Sequence, residues 1–120
     1  MEIFNRFTLE CARRLPKLPP DHPCARLHGH TFHIEVHLAG PLDPELGWVL
    51  DFADIQRAWQ PIHAALDHRC LNDVEGLANP TSEHLAIWIW NQLKPVLPGL
   101  ARVAVRETPV SGCVYSGPGA

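Results

Sequence analysis

At 120 residues, 46% hydrophobic and 19% charged, the chain is sized for one modest core, so a single domain is expected over residues 1–120. A net charge of -3 and a sequence pI near 6.2 exclude the strongly basic balance of a nucleic-acid binder, and basic residues are scattered apart from Arg13-Arg14. No apolar stretch is long enough to cross a bilayer, and Met1-Glu2-Ile3-Phe4-Asn5-Arg6 lacks the pattern of a signal peptide, so a cytoplasmic location is expected. Cys11, Cys24, Cys70 and Cys113 form no Cys-x-x-Cys pair and are expected to be free thiols there.

Ile3 to Leu15 reads as a first strand, with Phe7, Leu9, Cys11 and Leu15 on one face at period two. Arg13 falls in the same apolar row. A buried cation needs a partner, so either a carboxylate lies opposite or the strand bends outward there. Pro16 to Pro23 is a proline-rich connection leading to Cys24. His28 to Ala39 reads as a second strand, antiparallel to the first. Counting back by twos from Leu38, Val36, Ile34 and Phe32 puts His30 and His28 on the inward face.

Gly40 to Gly47 is turn chemistry, and Trp48-Val49-Leu50 makes a short extended piece. Asp51 is placed to cap a helix whose apolar stripe is Phe52, Ile55, Trp59, Ile62 and Leu66; Pro61 is expected to kink or divide it. That helix delivers Asp67-His68 at its end, ahead of Leu71-Asn72-Asp73. Thr81 or Ser82 caps a second helix, Ser82 to Val96, with Leu85, Trp88, Ile89, Leu93 and Val96 toward the core. Ala101 to Glu107 and Gly112 to Tyr115 read as strands. The order ββααββ predicts an α+β domain, a four-stranded antiparallel sheet with both helices on one face.

Two imidazoles one residue apart, entering the interior with a thiol upstream, are a pattern that metal sites use. Core histidines satisfied by hydrogen bonds are the plainer alternative. Cys24 and the intervening Gly29, which permits close approach to the backbone, weigh toward chemistry.

Taken together, Cys24-x-x-x-His28-Gly29-His30, Gly47-Trp48-Val49-Leu50-Asp51-Phe52, Leu66-Asp67-His68, Leu71-Asn72-Asp73, Asn79-Pro80-Thr81-Ser82-Glu83 and Glu107-Thr108 resemble the 6-pyruvoyltetrahydropterin synthase family, in register from Phe7 to Tyr115. The gap between Cys24 and His28 looks like that of its bacterial branch, the 6-carboxy-5,6,7,8-tetrahydropterin synthases of the queuosine pathway. The resemblance implies a tunnelling fold, with subunits joining their sheets into a barrel and stacking into a hexamer, and active sites at subunit interfaces. It implies a lyase that converts 7,8-dihydroneopterin triphosphate to 6-carboxy-tetrahydropterin with loss of acetaldehyde and triphosphate. The implied roles are zinc on His28 and His30 as a Lewis acid, Cys24 as a general base working with His68 and Asp67, and Glu107 gripping the pterin's amino edge.

One position departs from the family pattern. Arg13 in Cys11-Ala12-Arg13-Arg14-Leu15 stands where the third zinc histidine should be, and arginine stays protonated and cannot ligate. Cys11 or His22 is the candidate substitute; otherwise the site is metal-poor and Arg13 holds a phosphate or a carboxylate. Two other functions stand beside it: a related pterin side-chain lyase or aldolase paralogue, or, because Arg13 replaces the third zinc histidine, a pterin-binding protein with reduced catalysis.

Overall fold

Alternating apolar positions make β1 (Glu2–Arg13) and β2 (His28–Ala39) one long antiparallel ribbon, in register from Glu2 opposite Ala39 to Arg13 opposite His28. In this computed structural model, which describes residues 1–119, β3 (Leu100–Thr108) pairs antiparallel with β2, and β4 (Ser111–Tyr115) with β3. The sheet order is β1-β2-β3-β4. Gly112 belongs in the last hairpin because a Cβ there would lie 2.5 Å from the Val105 carbonyl oxygen.

Two helices lie between β2 and β3 in the chain, α1 (Phe52–Leu66) and α2 (Ser82–Leu93). Asp51 caps α1 by accepting the Ala53 N–H at 2.9 Å, and Thr81 caps α2 by accepting the His84 N–H at 3.1 Å. Ile55, Trp59, Ile62 and Leu66 of α1 and Leu85, Ile89 and Leu93 of α2 bury against Leu9, Phe32, Ile34, Val36, Val103 and Val105 in one core. Burying each such side chain stabilises the fold by about 1.5–3 kcal/mol before entropy is set against it. Phe7 extends the packing by stacking on Trp59, ring centroids 4.6 Å apart.

The order ββααββ and the sheet are those expected; several boundaries and details differ. α1 runs unbroken through Pro61, which sits on its exposed side. Phe52 starts α1 but is 49% exposed, so the buried stripe begins at Ile55. α2 stops at Leu93, leaving Val96 in the following turn. Trp48 to Leu50 forms no strand, Val49 and Leu50 making a bend, and β1 ends at Arg13 rather than Leu15.

The other face of the sheet is also closed in part. Glu35 and His37 of β2 are buried there, although alternation places them outward. Arg6 Nε lies 3.0 Å and Arg106 3.4 Å from Glu35 Oε2, while His37 Nε2 lies 3.1 Å from Oε1 and the His37 ring stacks on Phe4. Among the described residues no helix is long and apolar enough to cross a membrane.

Candidate active site

α1 ends by handing the chain to the outer edge of β1. The Asp67 N–H closes the helix on the His63 carbonyl at 2.9 Å. His68 then takes φ 57, a left-handed conformation that costs a side-chain-bearing residue on the order of 1 kcal/mol. Three contacts with β1 offset that strain: the His68 N–H donates to the Glu10 carbonyl at 2.6 Å, the Ala12 N–H donates to the Arg69 carbonyl at 2.9 Å, and Cys70 bridges Ala12 in parallel.

Asp67 is divided between backbone and side chain. Its Oδ1 accepts the Glu10 N–H at 2.9 Å and its Oδ2 lies 2.6 Å from His68 Nδ1. The Glu10 N–H and then the His68 imidazole hold the Asp67 carboxyl below the ordinary carboxylate range. A carboxylate at Nδ1 fixes the tautomer with the proton on that nitrogen, leaving Nε2 free on a side chain that is 79% exposed.

Cys24 sits in the 3-10 turn Pro23–Ala25, whose start His22 caps by accepting the Cys24 N–H on Nδ1 at 3.0 Å. The Cys24 carbonyl takes the Leu15 N–H at 2.8 Å, tying the turn to the end of β1. Its thiol is half-buried, and among the described residues no hydrogen bond joins it to His68. Within one chain, therefore, the expected Cys-His-Asp relay is assembled only as far as the imidazole.

The inward faces of β1 and β2 meet at the other cluster. His28 Nδ1 lies 2.7 Å from the Arg26 carbonyl oxygen and His30 Nε2 lies 3.0 Å from that of Glu107, with the ring centroids 6.4 Å apart. Each ring thus donates one N–H to a backbone carbonyl. Arg13, opposite His28, is the buried cation of the apolar row, and its carboxylate comes from the end of β3: Nη2 lies 2.6 Å from Glu107 Oε1. Nη1 donates to the Pro80 carbonyl at 3.0 Å, and the guanidinium carbon stands 4.8 Å from the Phe32 ring centroid.

Ser82 Oγ donates to the same Glu107 oxygen at 2.5 Å. Burial pushes the Glu107 carboxyl up, but the Ser82 hydroxyl and the Arg13 guanidinium outweigh it, and the carboxyl ends below its ordinary range. His30, Glu107 and His68 line one open cavity of about 550 Å³ with Glu10, Cys11 and Thr31. A cavity of about 410 Å³ on the far side of the sheet, beside Glu35 and Arg106, contains none of the expected site residues.

Residues 2–118 match the family model for 6-pyruvoyl tetrahydropterin synthase. The chain belongs to the 6-pyruvoyl tetrahydropterin synthase family. It is 38% identical over 122 residues to the 6-carboxy-5,6,7,8-tetrahydropterin synthase of Synechocystis sp., covering 97% of this chain and 93% of that one. It is 40% identical over 73 residues to the dihydroneopterin monophosphate aldolase of Pyrococcus furiosus, covering 61% of this chain and 60% of that one. The structure of the Caenorhabditis elegans 6-pyruvoyl tetrahydropterin synthase superposes with a TM-score of 0.89 at 30% identity, covering 98% of this chain and 95% of that one.

The zinc that the family resemblance implies can be tested against the donors present. His28 and His30 have the outer hydrogen bonds to carbonyls that ligating histidines use. The remaining candidates fail. Cys11, opposite His30, is buried in the core and does not converge with the two imidazoles on a common position. His22 has its Nδ1 engaged by the Cys24 N–H. Arg13 has no lone pair to offer. Among the described residues no three His, Cys, Asp or Glu side chains converge on a metal position. The donor set does not fit the three-ligand catalytic zinc site.

Two members of this family site escaped the reading of the sequence as site residues. Ser82 was legible only as a helix cap; because Thr81 takes that role, the Ser82 hydroxyl is released to Glu107. Glu10 contributes its backbone N–H and C=O to the Asp67-His68 corner, a role no side-chain pattern encodes.

Proposed function

We propose that this family member is a 6-carboxy-5,6,7,8-tetrahydropterin synthase-like lyase. It takes 7,8-dihydroneopterin triphosphate and releases acetaldehyde and triphosphate, for the biosynthesis of queuosine and related 7-deazapurines. The observation that carries the reading is the preassembled Asp67-His68 pair opening into the same cavity as Glu107, so that a proton-transfer group and a ring-binding carboxylate face one ligand.

Asp67 keeps the proton of His68 on Nδ1, so Nε2 is the atom that accepts and returns protons. Glu107 accepts N–H donors from the pterin ring. Cys24 is the thiol base, brought to His68 from a neighbouring subunit in a homo-oligomer, which accounts for a relay left incomplete within one chain. The similarity to dihydroneopterin monophosphate aldolase favours a second reading, cleavage of the side chain to a shortened, non-carboxylated pterin.

Incubation with 7,8-dihydroneopterin triphosphate and mass analysis of the product tests both. The carboxylated tetrahydropterin is expected, the shortened pterin would select the second reading, and unchanged substrate would sink both. Cys24→Ala should lower turnover by about two to four orders of magnitude and leave ring binding nearly intact. Refolding Cys24→Ala together with His68→Ala should restore part of the activity, since mixed oligomers contain sites with both native groups. Mixtures as inactive as their components would refute the shared site.

A further inference from the structure

The third ligand position and the ring-binding carboxylate belong to different strands, yet one side chain spans them. Arg13 starts on β1 opposite His28 and ends 2.6 Å from Glu107 Oε1. It is 2% exposed, and its Nε is buried with no partner, so the side chain is enclosed by protein rather than lying over the cavity. Glu107 is differently placed: its side chain is 34% exposed, Oε1 is taken by Arg13 and Ser82, and Oε2 has no hydrogen bond among the described residues.

We propose that Arg13 is a resident cation, a positioning and specificity-determining residue that replaces the divalent ion and leaves Glu107 only Oε2 for its ligand. A guanidinium is permanently charged and repels a divalent cation from the histidines beside it. It also presents adjacent N–H donors to a carboxylate, as the amino edge of a pterin does, so the two compete for Oε1. The ring of this chain's ligand is therefore held at one oxygen, without metal. This rests on the reading of Glu107 as the ring-binding carboxylate, while the metal half of it stands on Arg13 and the donor set alone.

Cobalt titration of the purified, tag-free protein tests the metal half independently of turnover. The unmodified protein should show none of the intense visible bands of a low-coordinate cobalt site. Arg13→His should develop them at one equivalent per chain, with affinity at least about 100-fold higher, since even an outer-shell partner is worth up to that much. Tight cobalt binding by the unmodified protein, or none by a folded Arg13→His, overturns it.

For the carboxylate half the probe is 7,8-dihydroneopterin, followed by fluorescence. Arg13→Met removes the charged donor from Oε1, leaving it the Ser82 hydroxyl alone and room for one donor from the ligand, and should tighten binding about 10-fold, the worth of one hydrogen bond to a charged acceptor. Methylguanidinium should then compete with the probe in Arg13→Met and not in the unmodified protein. A merely structural ion pair predicts the reverse, weaker binding in Arg13→Met and no competition. Absence of probe binding in every protein overturns the role given to Glu107, and the single-oxygen grip with it, while the cobalt result still decides the metal half.

Discussion

Asp67 illustrates how much one carboxylate fixes. Oδ1 pins the strained turn to Glu10 and Oδ2 chooses the tautomer of His68, so fold and proton transfer share a residue but not an atom. Asp67→Asn separates them. The amide oxygen can still accept the Glu10 N–H, but the amide NH2 would then face His68 Nδ1 and drive the imidazole proton to Nε2. Turnover should fall by about 100-fold, the lower range for loss of acid–base catalysis, while the melting temperature changes little. A variant that unfolds early, or one that turns over normally, would contradict this division of labour. At the same scale, sequence reasoning reached Arg13 as an anomaly but not its partner. Period two says that a residue faces inward; it cannot say that Glu107, 94 positions later, ends there too.

At the scale of elements, β2 shows what alternation reveals and hides. Phe32, Ile34, Val36 and Leu38 are buried as their spacing demands. Glu35 and His37 on the opposite face are buried as well, because Arg6 and Arg106 converge on the carboxylate from the strands on either side of β2. Such cross-strand convergence depends on register, which a single strand does not contain. Burial raises the Glu35 carboxyl, but the His37 hydrogen bond and then Arg106 and Arg6 bring it below its ordinary range. Since the folded state binds that proton less readily than the unfolded state, the contribution of Glu35 is present above the unfolded value, about pH 4.3, and is lost as pH falls through the folded one. Glu35→Gln should therefore reduce stability at neutral pH and flatten its fall between about pH 5 and 3, measured by urea denaturation at each pH. A parallel decline in both proteins would remove Glu35 from that role. α1 gives the converse lesson: the Asp51 cap and the stripe from Ile55 were legible, while Pro61 was read too severely because its exposed position was not.

For the molecule as a whole, the order β1-β2-β3-β4 divides the sheet into an N-terminal and a C-terminal hairpin, separated in the chain by both helices. The Arg13–Glu107 pair joins the two across 94 positions. Contacts so distant in sequence are closed only after much loop entropy has been lost, so this one should form after the rate-limiting barrier rather than before it. It then acts as a latch on a chain that has already found its topology. In stopped-flow experiments Glu107→Gln should leave the refolding limb in place and accelerate unfolding by about 10-fold, equivalent to ~1.4 kcal/mol placed wholly on the native side of the barrier. Slower refolding with unfolding unchanged would instead put the latch inside the folding nucleus. On the expected outcome, the residue that sets ligand recognition also sets the lifetime of the native state, so variants selected for tighter ring binding at Arg13 would unfold sooner.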